Sequence, residues 1–157
     1  MVNFESIRAS AMDLVARSEH LVLSTLDDHG SPDARMLFNL RHHRRGAFLK
    51  APVALESHWD TWVATNTSSR KIRELRADAR CCLYYFDTNR FEGLTLQGVM
   101  EDVEDIEVRN AIWQPAWEMF YPGGLEGGDF SVLRFHALQG RWYHGMSVCE
   151  FHADTMI

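Results

Sequence analysis

The spacing of apolar residues changes period several times along the chain. Over residues 3–18, Phe4, Ile7, Ala11, Leu14 and Val15 share one face at three- and four-residue intervals. That spacing predicts a helix, with Asn3 as its cap and Glu5 in its first turn. Residues 20–26 (HLVLSTL) then alternate as a strand does. DDHG at 27–30 is a turn of the Asp/Gly type, and a second strand covers 33–40, so the pair reads as a hairpin. Residues 41–58 are less regular: His42-His43-Arg44-Arg45-Gly46 is expected to be an exposed basic loop, and Pro52 limits any strand after it.

Further strands are expected at 61–65, 81–86 and 94–101, with a helix from Arg70 to about Arg76 between the first two. A helix over about 103–113 is ended by Pro115, and the aromatic stretch 113–120 continues as a short helix. The glycines at 123–128 make a loop, and 129–138 and 139–143 read as two closing strands. The last dozen residues show no clear period. Six or so antiparallel strands with helices between and after them predict a mainly β, α+β single domain over 1–157, a barrel rather than an alternating βαβ sheet.

Composition narrows the function classes. The apolar share is 46% and the charged share 24%, as in ordinary globular proteins. A net charge of −6 argues against a general coat of nucleic acid or anionic membrane, so neither is expected as a partner. No apolar run approaches the ~20 residues of a membrane helix, and the N-terminus lacks the layout of a signal peptide. Three cysteines without a CxxC pattern point to a reducing compartment, and the expected location is cytoplasmic. Eight histidines show no HxxxH or comparable pair, so no metal site is expected.

The segment Thr65-Asn66-Thr67-Ser68-Ser69-Arg70-Lys71 lies where a strand ends and a helix begins. There the first backbone N–H groups lack intrahelical partners and the helix dipole favours an anion. With the hydroxyls of Thr67 or Ser69 and the cations of Arg70 and Lys71, that end can cradle a phosphate. The plainer alternative is a helix capped by Ser68 or Ser69, with both cations in solvent. Arg35 shares a strand face with Asp33 and Leu37, while Met36 and Phe38 point the other way. An arginine among apolar strand residues needs a partner, and a carboxylate near the barrel edge would serve.

LSTLDDHGSPDARML (23–37), TNTSSRKIRELRADAR (65–80), LQGVMEDVED (96–105) and WQPAWEMFYPGG (113–124) resemble the pyridoxamine 5′-phosphate oxidase-like flavoproteins. The resemblance extends over residues 8–145 and favours the general stress protein 26-like branch. It implies a six-stranded FMN-binding split β-barrel with flanking helices, acting as a homodimer with FMN in clefts between the subunits. It also implies that Arg35 and Lys71 hold the FMN phosphate beside Ser69 and Arg70. Met36 and Leu37 would offer backbone to the isoalloxazine edge, and Thr65 would line the cleft. Trp142 and Tyr143 fall where the family places an aromatic residue of the partner subunit, and either could face the flavin.

The chain departs from the true oxidases in three places. Leu40 stands where they carry a phosphate lysine, Gly93 stands where they carry a flavin-contacting glutamine, and CEFHADTMI replaces their substrate-gripping C-terminal element. The expected activity is therefore FMN-dependent oxidoreduction of a small-molecule substrate or electron donor, not pyridoxine phosphate oxidation. The alternative is a non-catalytic flavin or tetrapyrrole (haem) carrier on the same fold, with His136 or His144 as axial ligand. A deazaflavin is a third cofactor for that fold. Trp113, Trp117, Phe120 and Tyr121 read as core or dimer surface, or as a roof above the flavin.

Overall fold

The computed structural model describes residues 3–46 and 57–155. Helix α1 (Phe4–Arg17) is followed by the hairpin β1 (His20–Leu26) and β2 (Pro32–Phe38), a short α2 (His43–Gly46), β3 (Thr61–Asn66) and α3 (Arg70–Ala77). Then come β4 (Arg80–Asp87), β5 (Glu92–Val103), α4 (Ile106–Ile112), two 3-10 turns (Pro115–Met119 and Gly124–Glu126), β6 (Phe130–His144) and β7 (Ser147–His152). The strands form one antiparallel sheet in the order β2-β1-β4-β5-β6-β3, with β7 added on the far half of β6. The sheet curls until β2 and β3 lie side by side, but no ladder joins them. This is a split barrel, mainly β as the sequence predicts, and its seam is open.

Alternation sets the two faces. Leu21, Leu23, Leu83, Tyr85, Leu94, Leu96, Leu133 and Phe135 point inward and form the main core, closed at one end by Ala11, Leu14 and Val15 of α1. Phe4, expected on that face, is instead exposed, one turn beyond the barrel end. Asn3 caps α1 by accepting from the Ser6 amide. A second cluster lies outside the barrel wall, where Phe130 and Val132 of β6 and Trp62 of β3 are covered by Ile112, Trp113, Trp117 and Tyr121. The 130–135 stretch is therefore buried on both faces, which is why it reads as a nearly continuous apolar run.

Several sequence expectations need correction. The described residues form seven strands, and β7 lies in the stretch without a clear period. Its only inward side chains are Cys149 and Phe151, too few to register as a strand. The two closing strands expected over 129–143 are one 15-residue strand. Its alternation slips at a bulge opposite Gln97/Gly98, and a one-residue slip exchanges inward and outward positions. β5 continues to Val103, so α4 starts at Ile106, where the Asp105 side chain accepts from the Glu107 amide. The short helix expected over 113–120 is present as a 3-10 helix at Pro115–Met119. His42 of the expected exposed loop is buried against His43, whose Nδ1 lies 3.0 Å from the Ala16 carbonyl oxygen. Pro52 and residues 47–56 lie outside the described residues.

Arg17, braced by Asp13 of its own helix, ties α1 to the barrel by reaching Asp87 and Glu92. Glu92 is only 4% exposed and also accepts from Trp142 Nε1 at 3.0 Å. A buried carboxylate of this kind is tolerated because both its oxygens are used. Glu92→Ala would leave the Arg17 guanidinium and the Trp142 indole N–H short of their acceptor. The expected loss in stability is about 3 kcal/mol, read from chemical denaturation midpoints with the slope unchanged.

Candidate functional site: the open seam between β2 and β3

Among the described residues each seam strand pairs on one side only, β2 with β1 and β3 with β6. The other edge of each has no ladder partner among the described residues. Between these edges lies a cleft of about 250 Å³, lined by Met36, Leu37 and Phe38 from β2 and Ala64, Thr65 and Asn66 from β3. One end is polar, at Thr65, Asn66 and Lys71. The other is aromatic and apolar, with His20, Leu40, Trp117, Phe120 and Tyr121.

The polar end is the head of α3. Asp129, at the start of β6, fixes the turn before it. Its carboxylate accepts from the Ser68 amide at 2.8 Å and from Asn66 Nδ2 at 2.9 Å, and its carbonyl accepts from the Thr67 amide. These donors hold the Asp129 carboxyl below the usual range. Asn66 Nδ2 also reaches the Phe120 carbonyl at 3.2 Å, tying the aromatic end to the polar end. Ser69 sits at the cap of α3, yet its side chain makes no capping bond, and its buried Oγ has no hydrogen-bond partner. Buried hydroxyls normally find a partner, so this one is an open donor for a ligand. The amides of Arg70 and Lys71 follow in the first turn, before any intrahelical acceptor is available.

Three cations surround this end. Lys71 Nζ donates to Thr65 Oγ1 at 2.8 Å across the cleft wall. Arg35 donates through Nη2 to Asp33 Oδ2 at 2.7 Å and to Glu74 Oε2 at 2.8 Å, and through Nη1 to Thr25 Oγ1. Arg70 pairs with Asp33, and its Nε lies 3.1 Å from Glu74 Oε1. The Arg70 guanidinium holds the Asp33 carboxyl below its ordinary value. Burial, and after it the nearby positive charge of Arg35, push the Lys71 ammonium below the ordinary 10.5. Two cations held together with an unused buried hydroxyl and a helix start suit a phosphate group.

Arg35, Met36, Leu37, Thr65, Ser69, Arg70 and Lys71 are thus gathered around one seam, although they come from three elements. Arg35 does not line the cleft itself; it stands behind Lys71, tied to carboxylates as its face-sharing with Asp33 suggested. Trp142 and Tyr143 lie apart from the cleft. Trp142 is a core residue bonded to Glu92, whereas Tyr143 faces outward and its hydroxyl meets that of Tyr84. Of the two, only Tyr143 lies on the outer face, with its ring beside that of Phe91. Gly93 is explained by the same ring, because a Cβ there would lie 2.5 Å from Tyr143 Cε1.

His136 and His144 are not at the cleft: His136 is held between Asp60 and Glu101, and His144 ends β6. Among the described residues no group of His, Cys, Asp or Glu side chains is arranged to hold a metal ion. Sequence reasoning passed over Thr25, Glu74 and His20. Glu74 was detectable only as a glutamate on the inner face of α3, four residues after Arg70.

The lowered Lys71 pKa has a stability consequence with a definite sign. Between its folded-state value and 10.5 the unfolded chain binds more protons than the folded one, so stability rises with pH over that window. The rise should flatten in Lys71→Met, as followed by urea midpoints from pH 8 to 10.5.

Residues 49–153, two-thirds of the chain, match the family model described as pyridoxamine 5′-phosphate oxidase like. A comparison with curated proteins finds no match. Among solved structures, a Clostridium acetobutylicum protein related to general stress protein 26 of B. subtilis superposes with a TM-score of 0.78 at 26% identity, covering 99% of this chain and 100% of that one. A pyridoxamine 5′-phosphate oxidase-related, FMN-binding protein from Nostoc punctiforme gives 0.67 at 15% identity, covering 96% and 89%. A haem-binding protein from Mycobacterium smegmatis gives 0.70 at 18% identity, covering 99% of this chain and 60% of that one. The last two likenesses concern the fold alone. With the family model matched over two-thirds of its length and a fold shared along all of it, the chain belongs to the pyridoxamine 5′-phosphate oxidase-like family.

Proposed function

We propose that this protein binds FMN in the seam cleft and acts as an FMN-dependent oxidoreductase, as a cytoplasmic homodimer. The observation that carries the reading is the polar end of the cleft. There Lys71, the Arg35 guanidinium behind it and the unpartnered Ser69 hydroxyl meet the first turn of α3. The phosphate would sit at that end, and the ring would extend along the free edge of β2 towards Trp117 and Phe120. Bound flavin would supply hydride and electron transfer, while the protein holds and orients it. The FMN-binding relative in Nostoc punctiforme supports this cofactor. The haem reading has less support, because His136 and His144 lie away from the cleft and, among the described residues, His20 is the only histidine lining it.

The dimer reading rests on the outer face of the sheet. Cross-strand neighbours place Met36, Val22 and Tyr84 in one row and Phe86, Gly93, Tyr143 and Val148 in the next. Met36 is 66% exposed, and Phe86 and Val148 are exposed too. A contiguous apolar sheet face beside the cleft suits a second copy of the chain. The partner would then bring its own face to the open side of the cleft. Unpaired Cys81, Cys82 and Cys149 support a reducing compartment.

Purified protein incubated with FMN and freed of excess should keep a flavin absorption spectrum. Arg35→Ala and Lys71→Ala should each weaken binding by about 1.5–3 kcal/mol, as measured by titration. A colourless protein after this treatment would remove the oxidoreductase reading. Phe86→Asp with Val148→Asp should give a monomer by light scattering, and the monomer should lose FMN if the cleft is shared. A monomeric wild type would overturn the dimer reading.

A further inference from the structure

The phosphate cradle contains an apparent contradiction: a buried carboxylate among the cations that would hold an anion. Glu74 is 2% exposed and lies on α3, one turn after Lys71. Its Oε2 accepts from Thr25 Oγ1 and, at 2.8 Å, from Arg35 Nη2. Its Oε1 lies 3.1 Å from Arg70 Nε. Thr25, itself buried, accepts from Arg35 Nη1 through the same oxygen that donates to Glu74. Arg35 is thus held at both terminal nitrogens by a closed ring of bonds through Thr25 and Glu74. Asp33 provides a third anchor.

A guanidinium is a planar fork with five N–H donors, so fixing two edges determines where the rest point. An untethered arginine would lose rotamer freedom when it met a phosphate, and a pre-set one avoids that loss. The tether also links the cradle's two halves. The helix whose first turn presents Ser69 and Lys71 carries, on its inner side, the carboxylate that holds the strand arginine.

We infer that Glu74 is a positioning residue for the phosphate site, holding Arg35 through Thr25 so that its remaining N–H groups face the anion at the head of α3. This inference rests on the FMN reading above and adds a residue to it. It also implies that the tether needs both the charge and the reach of the glutamate side chain. Glu74→Gln removes the charge, and Glu74→Asp keeps it while shortening the reach by one methylene.

The experiment compares FMN with riboflavin, which has the ring but no phosphate, on the full-length protein. Both variants should bind FMN roughly tenfold more weakly while riboflavin affinity stays within about twofold. Equal losses for the two ligands, or no loss for either, would overturn the inference. Tighter FMN binding in Glu74→Gln would also overturn it, since the carboxylate would then be a competitor of the phosphate. A second measurement needs no ligand. The Arg35 guanidinium N–H resonances should be protected from exchange in the wild type and lose that protection in both variants and in Thr25→Val. Unchanged protection in the variants would refute the tether. A wild type that takes up neither flavin would remove the proposed function, and the guanidinium signals would still decide the role of Glu74.

Discussion

The constraint on which this structure depends is a sheet that curls into a barrel without pairing its two ends. Any open sheet leaves backbone donors and acceptors on its outermost strands. Here the two outermost strands, β2 and β3, are brought side by side, so their free edges become the walls of one cleft. The same arrangement brings the end of β3 and the start of α3 next to the hairpin that carries Arg35. A closed barrel would have neither the cleft nor the unpaired edge. The position of the candidate site is therefore a consequence of topology, and side chains refine it.

Charge at the site is arranged rather than merely accumulated. Arg35, Arg70 and Lys71 would repel one another in the absence of counter-ions, and the charge of Arg35 adds to the burial that lowers the Lys71 pKa. Asp33 and Glu74 relieve the repulsion at Arg35 and Arg70, while Lys71 donates to a neutral hydroxyl. The region thus combines fixed arginines with a less satisfied lysine, and the unpaired Ser69 oxygen lies at the same helix head. Apolar packing sets the opposite end of the cleft. The 3-10 turn at Pro115–Met119 is held by Trp113, Trp117 and Tyr121 against Phe130, and Asn66 fixes its exit through the Phe120 carbonyl. One polar side chain therefore couples the turn that shapes the phosphate end to the segment that lines the ring end.

Much of this was determined by the sequence alone, wherever the cause is local. The periods of 3.6 and 2 located α1, α3 and the first five strands, because each reflects which side of a single element meets the core. The block from Thr65 to Lys71 located the helix head, and alternation alone placed Arg35 on one face with Asp33. Tertiary structure decided whatever depends on a second element. The continuity of β6 through its bulge and the existence of β7 depend on which strands flank them. Trp142 and Tyr143 are neighbours in one strand, and only the barrel interior on one side makes the first a core residue and the second a surface one. Thr25 and Glu74 are 49 residues apart, and Glu74 lies 39 residues from Arg35, so no local period signals their contact. Local patterning records which face of an element is buried. What lies against that face is decided when the sheet curls and its ends meet.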